Sequence, residues 1–373
     1  MRIAVVGAGI AGLTASIALG RDHDVTLFER APEFTAVGAG IVISANAARS
    51  LRSIGVDLTG TGRVVSTTTL ASADGEVLQR LDLAAHATTW GPTVAIARPD
   101  LHHRLVECLP PSVRVRLGAS IESVDVERAT IGVDGTFDSF DLLVGADGIN
   151  SLVRSAHPRS GRVVPAHHAC WRTVVAPTAT AEPTEYVGRG QRVGVVGLAS
   201  GTYLYLVESA APGELRDLQV DDVRRRFADF VVVRDLLDAI EAPLRFDDLA
   251  ELDRPVWGSA TAVLIGDAAH AMTPNLGQGA SMAIEDAVVL ARRLQSHADG
   301  ALDGWFDGFV TDRGTRVRWV QLTSRRLGRA LHARSAPARW FRDAALRHAP
   351  RSVADRQSRR LLGGGPVPAT LAG

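Results

Sequence analysis

The sequence predicts an α/β protein: a mostly parallel sheet, interrupted by a region of mixed sheet and followed by C-terminal helices. Three patterns predict it. A short apolar run, a glycine-rich turn, a helical stretch and a second apolar run follow one another within residues 2–29, the rhythm of parallel strands joined through a helix. From about 163 to 257 the pattern changes to alternating strands with long polar connections. From 280 onward apolar residues recur at helical spacing. The 373 residues, 46% of them hydrophobic, suffice for two domains or one large discontinuous one.

The first element is the apolar run R-I-A-V-V-G at 2–7, read as a buried parallel strand. Gly7, Gly9 and Gly12 follow as G-x-G-x-x-G, and residues 10–20 suit a helix with Leu13, Ile17 and Leu19 on its inner face. Val25–Phe28 reads as the second strand, ending at Glu29. This is the layout of a Rossmann-like dinucleotide-binding unit, in the context that gives the glycine pattern meaning. Gly7 permits a tight turn, Gly9 lets backbone N–H groups approach a pyrophosphate, and Gly12 lets helix and strand pack closely. The helix N-terminus offers unpaired N–H groups and a partial positive charge. Glu29 is placed to accept from ribose hydroxyls and to repel a 2′-phosphate.

Further along, residues 36–48 form a second glycine-containing loop running into a helix, and Arg98-Pro99-Asp100-Leu101 opens a helix reaching about 109, with Pro99 in the favoured first turn. Arg98 is either a surface cation or a contact to cofactor phosphates. Residues 113–134 alternate and read as antiparallel strands. Residues 140–154 hold an apolar strand followed by Asp147-Gly148. In the central region Tyr203 and Tyr205 lie two apart, so a strand puts both rings on one face; core packing and a substrate cavity are equally good accounts. Trp171 is a third aromatic candidate for that cavity. L-I-G-D-A-A-H-A-M-T-P-N-L-G-Q-G at 264–279 is a second glycine-rich turn entering the helix at 280–296. Residues 305–345 read as further helix with arginines on most faces, taken as solvated, and the tail is expected to be mobile.

Composition excludes several classes. The formal net charge of zero argues against broad binding to nucleic acid or anionic membrane. No apolar run approaches the ~20 residues of a spanning helix. The start of the chain lacks a signal-peptide layout, and the two cysteines, Cys108 and Cys170, have no short-spaced partner, which together fit a cytoplasmic protein. The 41 basic side chains are all arginine, so no lysine nucleophile or Schiff base is available. The pairs His102-His103 and His167-His168 are adjacent residues whose side chains diverge, and they give no metal site.

Three motifs stand together in order: G-A-G-I-A-G with Glu29, G-A-D-G with Arg154 downstream, and G-D-A-A-H-A-M-T-P-N-L-G-Q-G. The combination resembles the single-component FAD-dependent aromatic hydroxylases, which act on para-hydroxybenzoate, salicylate or 3-hydroxybenzoate, over roughly residues 1–330. The resemblance implies FAD as cofactor, NADH or NADPH as reductant and O2 as co-substrate, with a flavin C4a-hydroperoxide hydroxylating a small aromatic molecule. It places Gly7, Gly9, Ala11, Gly12, Glu29 and Arg30 at the ADP half of FAD. Asp267 falls at the ribityl chain, and Pro274, Gly277, Gln278, Gly279 and Ala280 beside the flavin pyrimidine ring. Gly40 and Ile41 flank the flavin, Arg98 reaches the diphosphate, Val124 lies beside adenine, and Asp147 belongs to a motif tied to both FAD and nicotinamide. His270 is a motif position read as structural.

The implied division is a discontinuous FAD-binding domain (1–72, 95–162, 258–300) and a substrate domain (73–94, 163–257). A helical segment (301–360) and a flexible tail (361–373) complete it. The chain lacks the thioredoxin-like C-terminal domain of the largest relatives, and its central segment matches only around Ala169–Val175. Substrate identity, nicotinamide preference, oligomeric state and a catalytic base are therefore not assigned. Two alternatives stay open: a flavin-dependent epoxidase or polyketide-tailoring oxygenase, and a flavin-fold protein that binds without turnover.

Overall fold

The computed structural model describes residues 1–34, 38–176, 182–241, 244–296 and 304–367. A five-stranded, wholly parallel sheet runs in the order Ala262–Leu264, Leu142–Gly145, Arg2–Val6, Asp24–Phe28, Arg114–Arg116. Its central strands are almost continuously apolar because both faces are covered. One face carries the helix Ile10–Leu19, every residue of which is buried, and the helix Gly279–Gln295 beyond it. Leu13, Ile17, Ile284, Ala287 and Val288 share one core with Ile3 and Val5. The other face packs on the antiparallel sheet Ile121–Asp125, Thr130–Val133, Thr136–Ser139.

A seven-stranded mixed sheet holds, in order, Arg245–Leu252, Val163–Val175, Thr202–Ser209, Gln191–Gly197, Thr184–Val187, Thr67–Ser72 and Val77–Asp82. All neighbours are antiparallel except Thr184–Val187 with Thr67–Ser72. A small antiparallel sheet of Gly40–Ile43, Thr93–Ala97 and Arg63–Val65 lies between the two large ones in the chain's path. The α/β class, with parallel sheet, mixed sheet and C-terminal helices, is as the sequence predicts.

Several details differ. The boundary expected between 72 and 73 runs through a hairpin, since Thr67–Ser72 pairs with Val77–Asp82 in the mixed sheet. Arg114–Arg116 is not antiparallel to its followers; it closes the edge of the parallel sheet beside Asp24–Phe28. Alternation at a sheet edge looks the same in either orientation. The first residues of the expected tail are docked: Leu362 and Val367 are buried. The Leu362 carbonyl accepts from Arg49 Nη2 at 2.7 Å, and the Val367 carbonyl from Arg49 Nε at 3.3 Å. Residues 368–373 lie outside the described residues.

The arginines of the helix Trp305–Leu331 are not all solvated either. Arg313 is 1% exposed. It donates to Glu285 Oε2 (2.5 Å) and Asp286 Oδ1 (2.7 Å), while Arg316 reaches Glu285 Oε1 at 2.8 Å. Burial opposes ionisation of both carboxyls, but Arg313 and Arg316 at Glu285, and His270 and Arg313 at Asp286, outweigh it and hold both below the ordinary carboxylate range. Replacing Arg313 with Met leaves two buried carboxylates undercompensated, and the expected loss of stability is about 3–5 kcal/mol. Denaturant unfolding of wild type and R313M measures it; a loss below about 1 kcal/mol would contradict this ion cluster.

Candidate functional site

The first glycine turn is shaped by contact. Gly7 has φ +99°, and a methyl there would lie 2.7 Å from the Ala146 carbonyl oxygen; one on Gly12 would lie 1.8 Å from the Gly7 carbonyl oxygen. Gly9 is different: nothing lies within 4 Å of the place its Cβ would take. Two glycines thus close the turn and the third opens it toward the helix N-terminus, where first-turn N–H groups lack intrahelical partners. Glu29 accepts from Ala8 N (2.8 Å) through Oε2 and from Ala31 N (2.9 Å) through Oε1. A carboxylate has about four acceptor positions, so two bonds leave it able to take hydroxyls. A cleft of about 200 Å3 opens here, lined by Gly9, Ile10, Glu29, Arg98, His102 and Arg245 among others.

Arg98 opens the helix Arg98–Glu107 and lies in a groove that Gly38 leaves, since a methyl on Gly38 would meet Arg98 Cδ at 2.6 Å. Burial lowers the pKa of its guanidinium; Asp267 opposes this, and Arg245 and Arg172 add to it. His102, one turn further along the same face, donates from Nε2 to the Ala8 carbonyl at 2.9 Å. Neither His102 nor Arg245 was expected at the cleft. The spacing of His102 from Arg98 was a usable signal; Arg245 arrives from the mixed sheet with none. Arg30 is exposed.

The second turn follows the strand Ala262–Leu264. Gly266 has φ +60°, and a methyl on it would sit 2.9 Å from Ala11 Cβ and 3.1 Å from Ala283 Cβ. The two turns therefore meet. Gly266 N donates to Asp286 Oδ2 (3.0 Å), which also bonds His270 Nε2 at 2.5 Å; His270 is fully buried and holds the turn from behind. Asp267 is exposed, and its Oδ1 lies 4.0 Å from where a Gly279 Cβ would be. Pro274–Leu276 forms a single tight turn, Gly277 follows at φ +60° with open space beside it, and Gly279 starts the helix Gly279–Gln295, with Ala280 in its first turn. Gln278 Nε2 donates to Ser44 Oγ at 2.8 Å.

Asp147 stands beside the first turn: a methyl on Gly7 would lie 2.9 Å from its Cα. Its Oδ2 accepts from Leu152 N at 2.7 Å, while Oδ1 is buried with no hydrogen-bond partner among the described residues. Val124 lies in Ile121–Asp125, packed on the cluster of Ile131, Leu143 and Leu264.

On the mixed sheet the aromatic candidates divide. Tyr203 and Tyr205 share a face with ring centroids 5.7 Å apart, and Tyr203 packs against Gly40, where a methyl would lie 2.6 Å from the ring; Ile41 pairs beside it with Ile96. The same face carries Arg172, whose Nη1 donates to Asp247 Oδ2 at 2.5 Å, and Arg245, which donates to the same oxygen at 3.2 Å. Trp171 is a correction. It pairs with Leu206, faces the opposite side, and packs on Phe227 and Phe246 at 6.1 and 5.6 Å. It is core, not cavity lining, because its register sets it one residue out of step with the tyrosines.

Residues 1–320 match the FAD binding domain family. The chain belongs to the FAD-dependent aromatic monooxygenases. This flavoprotein is similar to the 2-heptyl-3-hydroxy-4(1H)-quinolone synthase of Pseudomonas aeruginosa, at 34% identity over 98% of both chains. It is similar also to the 3-amino-4-hydroxybenzoate 2-monooxygenase of Streptomyces cremeus, at 33% identity over 93% of this chain and 92% of the relative. Among solved structures, Klebsiella pneumoniae HpxO complexed with FAD and uric acid matches with a TM-score of 0.86 at 24% identity, covering 98% of this chain and 97% of that one. Among the described residues no helix is long and apolar enough to cross a membrane.

Behind the second turn, His168 stacks on His332 at 3.8 Å. Burial, with Arg192 adjoining, lowers His168 to about 4 and His332 to about 2. An unfolded imidazole titrates near 6.5, so between that value and 4 only the unfolded chain binds these protons. Stability is therefore complete above pH 6.5 and falls as the pH drops toward 4. Chemical denaturation at pH 7.5 and pH 5 is expected to show the loss, and His168→Gln to reduce the slope; an unaltered slope in that variant would contradict the buried pair.

Proposed function

We propose that this monooxygenase takes electrons from NADH or NADPH and hydroxylates a small aromatic molecule with O2. FAD bound in the cleft would supply the redox chemistry, with the flavin C4a-hydroperoxide as oxygen donor. The observation that carries the reading is the meeting of the two glycine turns, Gly266 against Ala11, beside a cleft lined by Arg98 and Glu29, with the Asp267 carboxylate acting on Arg98. One extended dinucleotide fits that arrangement. The unpaired Asp147 Oδ1 and the open sides of Gly9 and Gly277 are the features a ligand would complete.

In this reading the chain's own residues bind, orient and exclude water. N–H groups at Gly9–Gly12 receive the pyrophosphate, assisted by Arg98. Glu29 takes the ribose hydroxyls and Asp267 the ribityl chain. The N–H groups of 278–280, at a helix N-terminus, face the pyrimidine edge of the ring and favour negative charge there by about 0.3–2 kcal/mol, while the Gly277 N–H expected to join them is held by the Pro274 carbonyl at 2.9 Å. Gly40 and Ile41 wall the ring on the side of Tyr203. The substrate lies over the Tyr203–Tyr205 face, where Arg172, Asp247 and Arg245 supply polar contacts. No second dinucleotide turn is present among the described residues, so the nicotinamide is taken to visit this groove transiently. The division into a discontinuous FAD-binding unit and a substrate unit built on the mixed sheet belongs to the same proposal, as does a cytoplasmic location.

The names of the relatives suggest the first substrates to try, a 2-alkyl-4-quinolone and an amino-hydroxybenzoate. Purified protein is expected to hold FAD, to accelerate NADH or NADPH oxidation with one of these, and to give a product heavier by one oxygen that comes from O2. FAD uptake with no stimulation by any aromatic, and no incorporated oxygen, would favour a protein that binds without turnover. Asp267→Ala is expected to weaken FAD binding by about ten- to a hundredfold, the loss of a hydrogen bond to a charged group; unchanged FAD content would count against the placement of Asp267.

A further inference from the structure

A buried guanidinium stands behind the second glycine turn. Arg192, in the strand Gln191–Gly197, is 1% exposed and reaches three separate elements. Nη1 donates to Glu185 Oε1 at 3.0 Å, Nε to His332 Nε2 at 2.8 Å, and Nη2 to Asn275 Oδ1 at 2.7 Å. Only a planar fork with donors on all three nitrogens can serve partners in three directions at once. A buried arginine is costly unless its hydrogen bonds are satisfied, and here every nitrogen has a partner.

Asn275 is the member that belongs to the turn. Its Nδ2 donates to Thr273 Oγ1 and to the Ser324 carbonyl, both at 2.9 Å. Gly328 makes room for that amide, since a methyl there would lie 2.3 Å from Nδ2. The guanidinium admits only the oxygen of the amide on its side, so Asn275 has one orientation. At the other end of the turn Gln278 is tied to Ser44. Both polar side chains of the turn are thus directed away from the open side, and Gly277 has none. The Gly277 N–H is taken by the Pro274 carbonyl at 2.9 Å, and the N–H groups of 278–280 remain for a ligand.

Arg192 is also linked to the substrate side through Glu185. Its partner Glu185 adjoins Tyr205, whose hydroxyl is pushed well up by burial and then by that carboxylate. A methyl on Gly194 would lie 1.8 Å from the Tyr205 ring, so the ring is held down on the same strand that carries Arg192.

We propose that Arg192 is a positioning residue for the flavin-facing turn: through Asn275 it fixes the Pro274–Gly277 backbone to the mixed sheet that bears Tyr203 and Tyr205. The register between flavin and substrate face then depends on one side chain that touches neither. The inference rests on the FAD reading above.

The test uses full-length, FAD-loaded protein and the variants Arg192→Lys and Asn275→Ala, with the two-electron midpoint potential of the bound flavin as readout. Arg192→Lys keeps the charge beside Glu185 and loses the fork. A turn released from Asn275 presents its N–H groups less well to the reduced ring. Both variants are expected to bind oxidised FAD within about threefold of wild type and to lose about tenfold in preference for the reduced form, a potential lower by about 30 mV. The double variant is expected to add nothing further. Potentials equal to wild type in folded, FAD-loaded variants would overturn the positioning role while leaving the FAD reading intact. Should Arg192→Lys fail to fold, Asn275→Ala alone decides. A wild-type chain that takes up no FAD would overturn the reading itself and this inference with it.

Discussion

The site depends on how closely Gly266 approaches the first helix. The turn after Ala262–Leu264 reaches Ala11 only because residue 266 has no side chain and tolerates φ +60°. Any larger residue would wedge the helix Gly279–Gln295 away from Ile10–Leu19. Those two helices share the core over the parallel sheet, so the approach is a packing constraint before it is a functional one. From it follows the electrostatic coupling of Asp267 to Arg98, and on it rests the proposal that one long ligand lies from Gly9 to Gly277.

What holds that approach is a polar cluster in a place where polarity is expensive. Asp286 bonds Gly266 N, His270 and Arg313 together, and Glu285 adds Arg316 and Asn46. Hydrophobic residues of similar volume often give as much stability at such positions. A carboxylate does something they cannot: it fixes the direction of a backbone N–H inside a turn. The second turn is held the same way at its far end, by Arg192 through Asn275. The chain therefore presents two glycine turns with bare open sides, the first closed by the backbone contacts of Gly7 and Gly12 and the second locked from behind by charge-assisted hydrogen bonds.

Local pattern made much of this legible. Strand, turn, helix and strand at the N-terminus fall where the apolar periodicity puts them, because a buried parallel strand and its helix are specified by nearby residues. The three glycines could be given distinct jobs from spacing, and Gly7 and Gly12 make the close contacts those jobs require, while Gly9 faces open space. Pairing across the chain was not legible. Trp171 went to the core, not the cavity, because cross-strand register decides which face a residue takes. Arg114–Arg116 went to the parallel sheet because an edge strand carries no mark of its orientation. Arg192, Arg245 and Arg313 were invisible for a further reason. In a chain whose basic residues are all arginine, abundance hides the buried Arg192 and Arg313, which only distant carboxylate and amide partners set apart, and Arg245, half-buried, which only its place on the mixed sheet does.

The claim that one ligand is held at both ends is tested most directly by comparing the Kd of FAD with those of its halves, ADP and riboflavin, on the apoprotein. Linked halves bind with the advantage of a high effective concentration. The structure predicts that FAD binds at least about a hundredfold more tightly than either half, and that Asp267→Ala weakens FAD and riboflavin but leaves ADP unchanged. An FAD affinity no better than that of ADP would mean that only the first turn grips, and would contradict the account.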